Sequence, residues 1–519
     1  MVACFVLLLV GCSNEVSDSS QLSDDGVYYE IFVRAFADSD GDGIGDFNGI
    51  TENLDYLEDL GIKGIWLMPI NPSPSYHGYD VTDYYDVNAD YGTLDDFKNL
   101  IKEANDRGIK IVMDLVLNHA SSEHPWFVES KEDASSPYAD YFVWADADDT
   151  SYDFSASPID GKAWHSWSSR KYFGAFWDGM PDWNASNQKV RDEFIKIGKF
   201  WLDLGVDGFR LDAAKYMYAQ GEYNTELNLL QENLDFWQEI TDGWREVNDD
   251  VYIVGEVWSS SSSVAPYYMS FTSNFDFDLA DEIISAVRNQ KDTHGFGLMK
   301  NYQRTLENYA KYAPNGDVFD ATFLSNHDQD RIMSVFGSDT TLMKMAAEIY
   351  LMLPGNPYIY YGEELGMLGR KPDEDIRLPF KWGNEFETTW RADPYNNDLS
   401  DVQAQKEDSN SLYNHYKTLI AVRNESTALS SGDFLAVEFN KSFMVGQIRY
   451  TLDEAVLVAH NVSDRDLEIS IQATEGDILY SSNDGASINN DTILVPSSTT
   501  LILTIPADEL QDYTTINIK

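Results

Sequence analysis

The sequence predicts an α/β fold in which eight parallel strands close into a (β/α)8 barrel. Three observations carry the prediction. One phrase recurs, as LGIKGIWLM at 60–68, RGIKIVMDL at 107–115 and LGVDGFRLD at 204–212, each copy preceded by an amphipathic helical pattern. Five more apolar runs of strand length, VYYEIFV (27–33), VYIVGEV (251–257), NFDF (274–277), ATFLSN (321–326) and PYIYYG (357–362), bring the number of candidate strands to eight. No G-x-G-x-x-G or phosphate-binding loop follows any of them, which argues against the rival, an open doubly wound sheet.

The elements follow in order. Leu54, Leu57 and Leu60 lead into the first copy of the phrase; Phe97, Leu100, Ile101 and Ala104 into the second; Phe194, Ile197, Trp201 and Leu204 into the third. These are helical spacings of three and four. Gly61, Gly108 and Gly205 fit helix C-caps, where a positive φ is required, and each is followed by a buried strand. Between the third strand and the next helix lie about 70 residues rich in Trp, Tyr, Ser and Asp, too long for a structureless loop, so an inserted domain over the C-terminal face of the barrel is expected. After a helix near 411–424 the pattern changes to short alternating runs such as SFMVGQIRY and TLILTI, which read as an antiparallel β domain. The organisation expected is a leader and tether at 1–25, the first part of the barrel (domain A) at 26–118, the inserted domain B at 119–188, the rest of domain A at 189–429, and a C-terminal β-sandwich domain at 430–519.

Composition bounds the function. The 519 residues include 13 Trp, 31 Tyr and 26 Phe, a globular composition that also suits sugar stacking. Asp and Glu number 88 against 36 Lys and Arg, a formal charge of −52. Nucleic acid and anionic membrane surfaces are poor partners for such a chain. An ordinary secreted protein and one adapted to high salt both accommodate the charge. The only cysteines are Cys4 and Cys12, so no disulfide is expected to staple the folded body. The segment MVACFVLLLVGCSNE has an apolar run too short to span a bilayer. Leu9-Val10-Gly11-Cys12 resembles a bacterial lipobox, with Cys12 as the lipidated residue and SNEVSDSSQLSDDG as a tether. The expectation is an exported lipoprotein, membrane-anchored at the cell surface or in the periplasm, or a secreted protein, and a monomer.

Chemistry in such a barrel lies at the C-terminal ends of the strands. Those ends carry Asp114 to His119, Arg210, Asp212, Glu256, and His327-Asp328. Any one of these alone reads as a cap or a hydrogen-bonded structural residue. Together they are a functional signal, because gathering like charges costs free energy that packing does not require.

The strings DLVLNH (114–119), GFRLDAAK (208–215), GEVW (255–258) and FLSNHDQ (323–329) resemble, in order, the four signature segments of the α-amylase superfamily, glycoside hydrolase family 13; MPDWN (180–184) resembles the additional marker of its inserted domain. The resemblance implies that Asp212 is the nucleophile, Glu256 the general acid and then base, and Asp328 the residue that holds hydroxyls of the distorted sugar. Physical chemistry agrees: retention needs two carboxyl groups flanking the scissile bond, one ionised and one protonated. Arg210, two residues before Asp212 on the same strand face, is expected to hold it ionised and oriented. Val257, Trp258 and nearby carboxylates are expected to raise Glu256. The resemblance further implies that His119 and His327 donate hydrogen bonds to the sugar, that Tyr79 forms a platform beneath it, and that Lys215 acts on the leaving side. Where the family often has His after that lysine, this chain has Tyr216.

The stretch DSDGDGIGD (38–46) places Asp38, Asp40, Asp42, Gly43, the Ile44 carbonyl and Asp46 at positions 1, 3, 5, 6, 7 and 9 of a calcium loop; position 12 is Gly49 rather than Glu. The resemblance implies a structural calcium that braces the barrel. It also implies a possible second calcium between barrel and insert, through Asn118, Asp182 and the Tyr216 carbonyl.

The substrate expected is an α-glucan such as starch or maltooligosaccharides. DAAK after the arginine resembles α-amylases, and no acid occupies 74–78 before Tyr79 to cap a non-reducing end. An endo-acting α-amylase is therefore the first expectation. The alternatives are an α-glucosidase or a cyclomaltodextrinase- or neopullulanase-type hydrolase, which the intermediate character of MPDWN keeps open, and more remotely a non-catalytic glucan-binding lipoprotein.

Overall fold

A computed structural model of the chain describes residues 26–159, 161–224, 226–471, 477–489 and 491–519. The leader and the lipidation expected at Cys12 lie outside the described residues. Among those described, no helix is long and apolar enough to cross a membrane.

Seven parallel strands, Tyr28–Ile31, Gly64–Leu67, Lys110–Leu115, Gly208–Leu211, Tyr252–Gly255, Ser273–Asn274 and Tyr358–Tyr360, form one sheet in which the last pairs with the first. The seventh barrel position, where ATFLSN was expected to form a full strand, is a single bridge between Phe275 and Ala321. It still closes the ring: Ala321 N–H donates to Asn274 O at 3.1 Å, and Tyr358 N–H donates to Thr322 O at 2.8 Å. The expected run at 274–277 is likewise short, because from Phe277 the chain is already helical and Asp276 caps that helix.

The three repeated units form as the spacing predicts. Phe97, Leu100, Ile101 and Ala104 are all buried in the helix Leu94–Asn105, which a reciprocal Thr93–Asp96 capping box begins. Gly61 ends its helix in the left-handed region at φ 92°. Strand alternation sets the barrel interior. Tyr28, Val112 and Val254 point inward in the lower layer with Trp66, Tyr252 and Tyr358. The Tyr28 ring stacks on both Tyr252 and Tyr358, with centroids 5.2 and 5.1 Å away. Two residues further along the same strands stand Glu30, Asp114 and Glu256, so the period that fills the barrel also lifts charged groups to its upper layer.

The insert carries a three-stranded antiparallel sheet, Trp144–Asp146, Arg170–Phe173 and Trp164–Trp167. Bridges His119–Asp182 and Phe142–Trp183 fasten the insert to the third barrel strand and close it on itself. The C-terminal segment from Asp433 forms two five-stranded sheets, antiparallel except for the short pairing of Glu438–Phe439 with Thr515–Ile518. A core that includes Leu457, Leu501, Leu503, Ile469, Ile493 and Ile516 lies between them. Two buried arginines meet at the junction of this unit with the barrel, and Arg449 crosses it. Arg423 donates to the carbonyls of Leu351, Leu353 and Gly355, and Arg449, on a C-terminal strand, donates to those of Met352 and Gly432.

Past the eighth strand, two buried carboxylates sit in tyrosine cages. Glu363 accepts from the Tyr350 and Tyr416 hydroxyls at 2.9 Å each, and Glu364 accepts from Tyr29 and Tyr56.

Candidate active site

Arg210 is the hub of the upper barrel layer and is fully buried. Its Nη1 donates to Oδ1 of Asp212 at 2.7 Å and to both oxygens of Asp114 at 3.0 Å. Its Nη2 lies 3.0 Å from Oε2 of Glu256, an ion pair without hydrogen-bond alignment. Asp212 and Glu256 therefore flank one guanidinium. Ala213, directly after Asp212, takes the left-handed conformation at φ 49°, costly for a residue with a Cβ. That turn delivers its N–H to Oε2 of Glu256 at 2.9 Å.

Burial raises Asp212 above the ordinary carboxylate range, with Arg210 opposing it. Desolvation outweighs the guanidinium in setting the direction. Burial raises Glu256 too, with Arg210 again opposing and Asp212 and Asp328 adding to the rise. What separates the pair is geometry, since Asp212 has the aligned hydrogen bond from the arginine and Glu256 does not. Asp114 is pushed up to about 7 by burial, against the pull of Arg210.

The opposite wall is built around His327, which is fully buried. Nδ1 is 2.6 Å from Oε1 of Glu30, while Nε2 is 2.6 Å from the Tyr79 hydroxyl and 3.2 Å from Oδ2 of Asp328. The Tyr79 ring stacks on the imidazole at 5.5 Å, and its hydroxyl also donates to Asp114 at 3.0 Å. Burial would raise Asp328, but His327 and Arg377 outweigh it and hold the group well below the usual carboxylate range. Arg377 Nη2 reaches Oδ1 of Asp328 at 2.9 Å.

A model of the α-amylase catalytic domain matches residues 30–432. The chain belongs to the α-amylase family of glycoside hydrolases. It is 42% identical over 485 residues to Alpha-amylase 3 of Dictyoglomus thermophilum, covering 92% of each chain. It is also 32% identical over 524 residues to an oligo-1,6-glucosidase of Parageobacillus thermoglucosidasius, covering 85% of this chain and 90% of that one. Among solved structures, an α-amylase from H. orenii superposes with a TM-score of 0.85 at 42% identity, covering 93% of this chain and 99% of the other. Membership explains why three carboxylates and two histidines share one rim. It leaves linkage and mode of attack open, because relatives with different printed activities align over most of their length.

The remaining site residues of this α-amylase family member lie around that centre. His119 is buried, and burial lowers it to about 4, so its ring is neutral. Asn118 Nδ2 donates to the Tyr216 carbonyl at 2.8 Å, which turns Oδ1 of Asn118 toward His119 Nδ1 at 3.1 Å. Nε2 of His119 is buried without an aligned hydrogen-bond partner. Lys215 donates through Nζ to the carbonyl of Trp258, whose side chain is 46% exposed and stacks on Phe277 at 4.5 Å.

The calcium loop brings Asp38, Asp40 and Asp42 together, with one carboxylate oxygen from each within 4.8 Å of the others. Ile44 N–H donates to Oδ1 of Asp42 at 2.7 Å. Asp46 stands apart from this group. One of its oxygens caps the helix Phe47–Glu52 through Gly49 N–H, and both accept from Ser39. The three carboxylates are hard oxygen donors of the kind calcium takes. The loop is tied to a distant segment by Thr389 N–H to the Gly43 carbonyl and Asp38 N–H to the Phe386 carbonyl.

The second group expected to hold calcium assembles differently. Asn118 and Tyr216 are bonded to each other. Oδ2 of Asp182 is buried without a hydrogen-bond partner, as is Oε1 of Glu222, and burial raises Glu222 with Asp182 adding to the rise. Sequence reasoning missed Glu222, Glu30 and Arg377. Glu30 alone left a trace, as the single charge inside the apolar run VYYEIFV.

Proposed function

We propose that the protein is an endo-acting α-amylase that hydrolyses internal α-1,4-glucosidic bonds by double displacement with retention. The observation that carries the mechanism is the bracketing of Arg210 by Asp212 and Glu256. Arg210 occupies Oδ1 of Asp212, which leaves Oδ2 to attack the anomeric carbon. Ala213 N–H and Arg210 occupy Oε2 of Glu256, which leaves Oε1 to carry the proton to the departing glycosidic oxygen. In the second half Glu256 takes a proton from water, and hydroxide displaces Asp212 from the glycosyl ester. Asp328, held ionised by His327 and Arg377, accepts from sugar hydroxyls. Tyr79 supplies the platform beneath the ring, and Lys215 with Trp258 lines the leaving side.

Endo action is supported by the absence of an acid at 74–78 and by the likeness to α-amylases over nearly the whole chain. The likeness to an oligo-1,6-glucosidase favours a secondary activity on short or branched oligosaccharides. We assign Asp38, Asp40 and Asp42 to a structural calcium that fastens the first βα loop to the segment around Phe386–Thr389. Asp182 and Glu222 would hold a second cation, which would relieve two buried and unpaired carboxylates. A lipid anchor at Cys12 completes the reading as an exported protein acting on glucan outside the cell.

A product time course on starch and maltoheptaose tests this function. A rapid fall in chain length, with mixed α-configured maltooligosaccharides before glucose, is expected. Glucose as the sole early product would replace the reading with an α-glucosidase. Asp212→Asn and Glu256→Gln should each lose at least about 10⁴-fold in turnover without loss of fold.

A further inference from the structure

His327 lies between two carboxylates, Glu30 on Nδ1 at 2.6 Å and Asp328 on Nε2 at 3.2 Å. A neutral imidazole has one N–H and one lone pair, yet both ring nitrogens face acceptors: the Glu30 carboxylate on Nδ1, and on Nε2 the Tyr79 oxygen, whose own proton goes to Asp114. Only the doubly protonated ring donates on both sides. We propose that Glu30 is a positioning residue for the glycosidic reaction, which holds His327 as an imidazolium whose Nε2–H faces the Tyr79 hydroxyl beside Asp328.

The surroundings are consistent with a fixed cation. Glu30 is 2% exposed and sits on the first strand, 297 residues from the histidine it meets. Around the ring stand Glu30, Asp328 and the Tyr79 hydroxyl, with Asp114, Asp212 and the opposing charge of Arg210 beyond them. Trp66 packs edge-on at 5.6 Å, and Arg377 Nε donates to the His327 carbonyl at 3.0 Å. Burial lowers the ring's affinity for a proton, but the carboxylates of Asp328 and Glu30 outweigh this and push it up to about 9. The cation also favours ionised Asp212, so Glu30 supports the nucleophile without touching substrate. This role rests on the proposed catalytic assignments; the ionisation of His327 does not.

The experiment is a ¹⁵N NMR titration of the imidazoles in wild type and Glu30→Gln, with the His327 signals identified by their loss in His327→Asn, paired with the pH dependence of kcat/KM. Gln keeps the acceptor oxygen and removes the charge. In wild type the His327 ring is expected to stay doubly protonated through pH 8. In Glu30→Gln its titration should fall by about two pH units, and kcat/KM at pH 8 relative to pH 5.5 should drop about tenfold further than in wild type. A neutral ring at pH 7 in wild type overturns the inference whether or not the variant folds. An unchanged titration in the variant also overturns it, as does a lowered titration with an unaltered pH dependence of kcat/KM. A wild type inactive on every α-glucan, with the ring nevertheless cationic, would remove the amylase reading and leave the Glu30–His327 pair standing.

Discussion

Arg210 donates to Asp212 across 2.7 Å and meets Glu256 at 3.0 Å without alignment, so one buried cation treats two buried carboxylates unequally. On the proposed mechanism this asymmetry gives the ionised role to Asp212 and the protonated role to Glu256. It also makes Arg210 the most consequential residue of the site that does not itself react.

Arg210→Lys tests that asymmetry. Lysine presents a compact charge and cannot serve Asp114, Asp212 and Glu256 from one planar fork. Turnover is expected to fall by about 10²–10⁴-fold. Burial already raises Asp212, so weakening its cation should move the acidic limb of kcat/KM to higher pH. A variant that loses activity with an unmoved acidic limb would show that Arg210 serves only the architecture.

Calcium removal should act on stability rather than on product pattern. Calcium in excess is expected to raise the Tm in proportion to its binding, and chelation should reverse the rise. Asp40→Asn and Asp42→Asn should abolish most of the effect at the first loop, because both carboxylates belong to the cluster and neither touches the barrel rim. Calorimetry with and without chelator, alongside the product distribution, provides the check. Equal melting in both buffers would reduce residues 38–46 to an acidic turn.

Glu363 predicts a pH dependence of stability with a definite sign. Burial pushes it up to about 8, while the Tyr350 and Tyr416 hydroxyls oppose the rise. In the unfolded chain the group ionises near its ordinary value of about 4.3. The unfolded state therefore binds fewer protons across that interval, and stability from the neutral group is lost as pH rises toward 8. Glu363→Gln cannot ionise. It should melt slightly below wild type at pH 5, and its Tm should fall less between pH 5 and 8. Parallel melting curves for the two proteins would rule Glu363 out as a source of the alkaline loss.

Much of the barrel was legible because its signals are local. The helical spacings at Phe97–Ala104 and Phe194–Leu204 and the glycine after each helix need no knowledge of the rest of the chain. The seventh strand was overestimated because ATFLSN is apolar for another reason: Phe323 fills the barrel interior while the backbone pairs only near Ala321 and Thr322. The rim residues were legible as a set but not as a network. Spacing placed Arg210 beside Asp212, yet burial, a property of the whole fold, decides the net direction of their protonation. Asp46 satisfied a metal-loop pattern and a helix N-cap pattern at once, and in the structure the cap holds it. Arg377 carries no local mark for its place in the site, since His327 and Asp328, which it serves there, are brought near only by folding.

The arginine pair at the junction of barrel and C-terminal sheets bears on how this chain could exchange parts with its relatives. Arg423 comes from the helix Leu412–Glu425 and Arg449 from the third strand beyond it, yet together they serve carbonyls of one stretch, Leu351–Gly355. A recombination point at the apparent boundary near residue 430 would separate the two donors and leave Met352 O without its partner. The unit of inheritance is therefore larger than the visible module: a transplantable barrel carries its first C-terminal hairpin with it, to about Asn461.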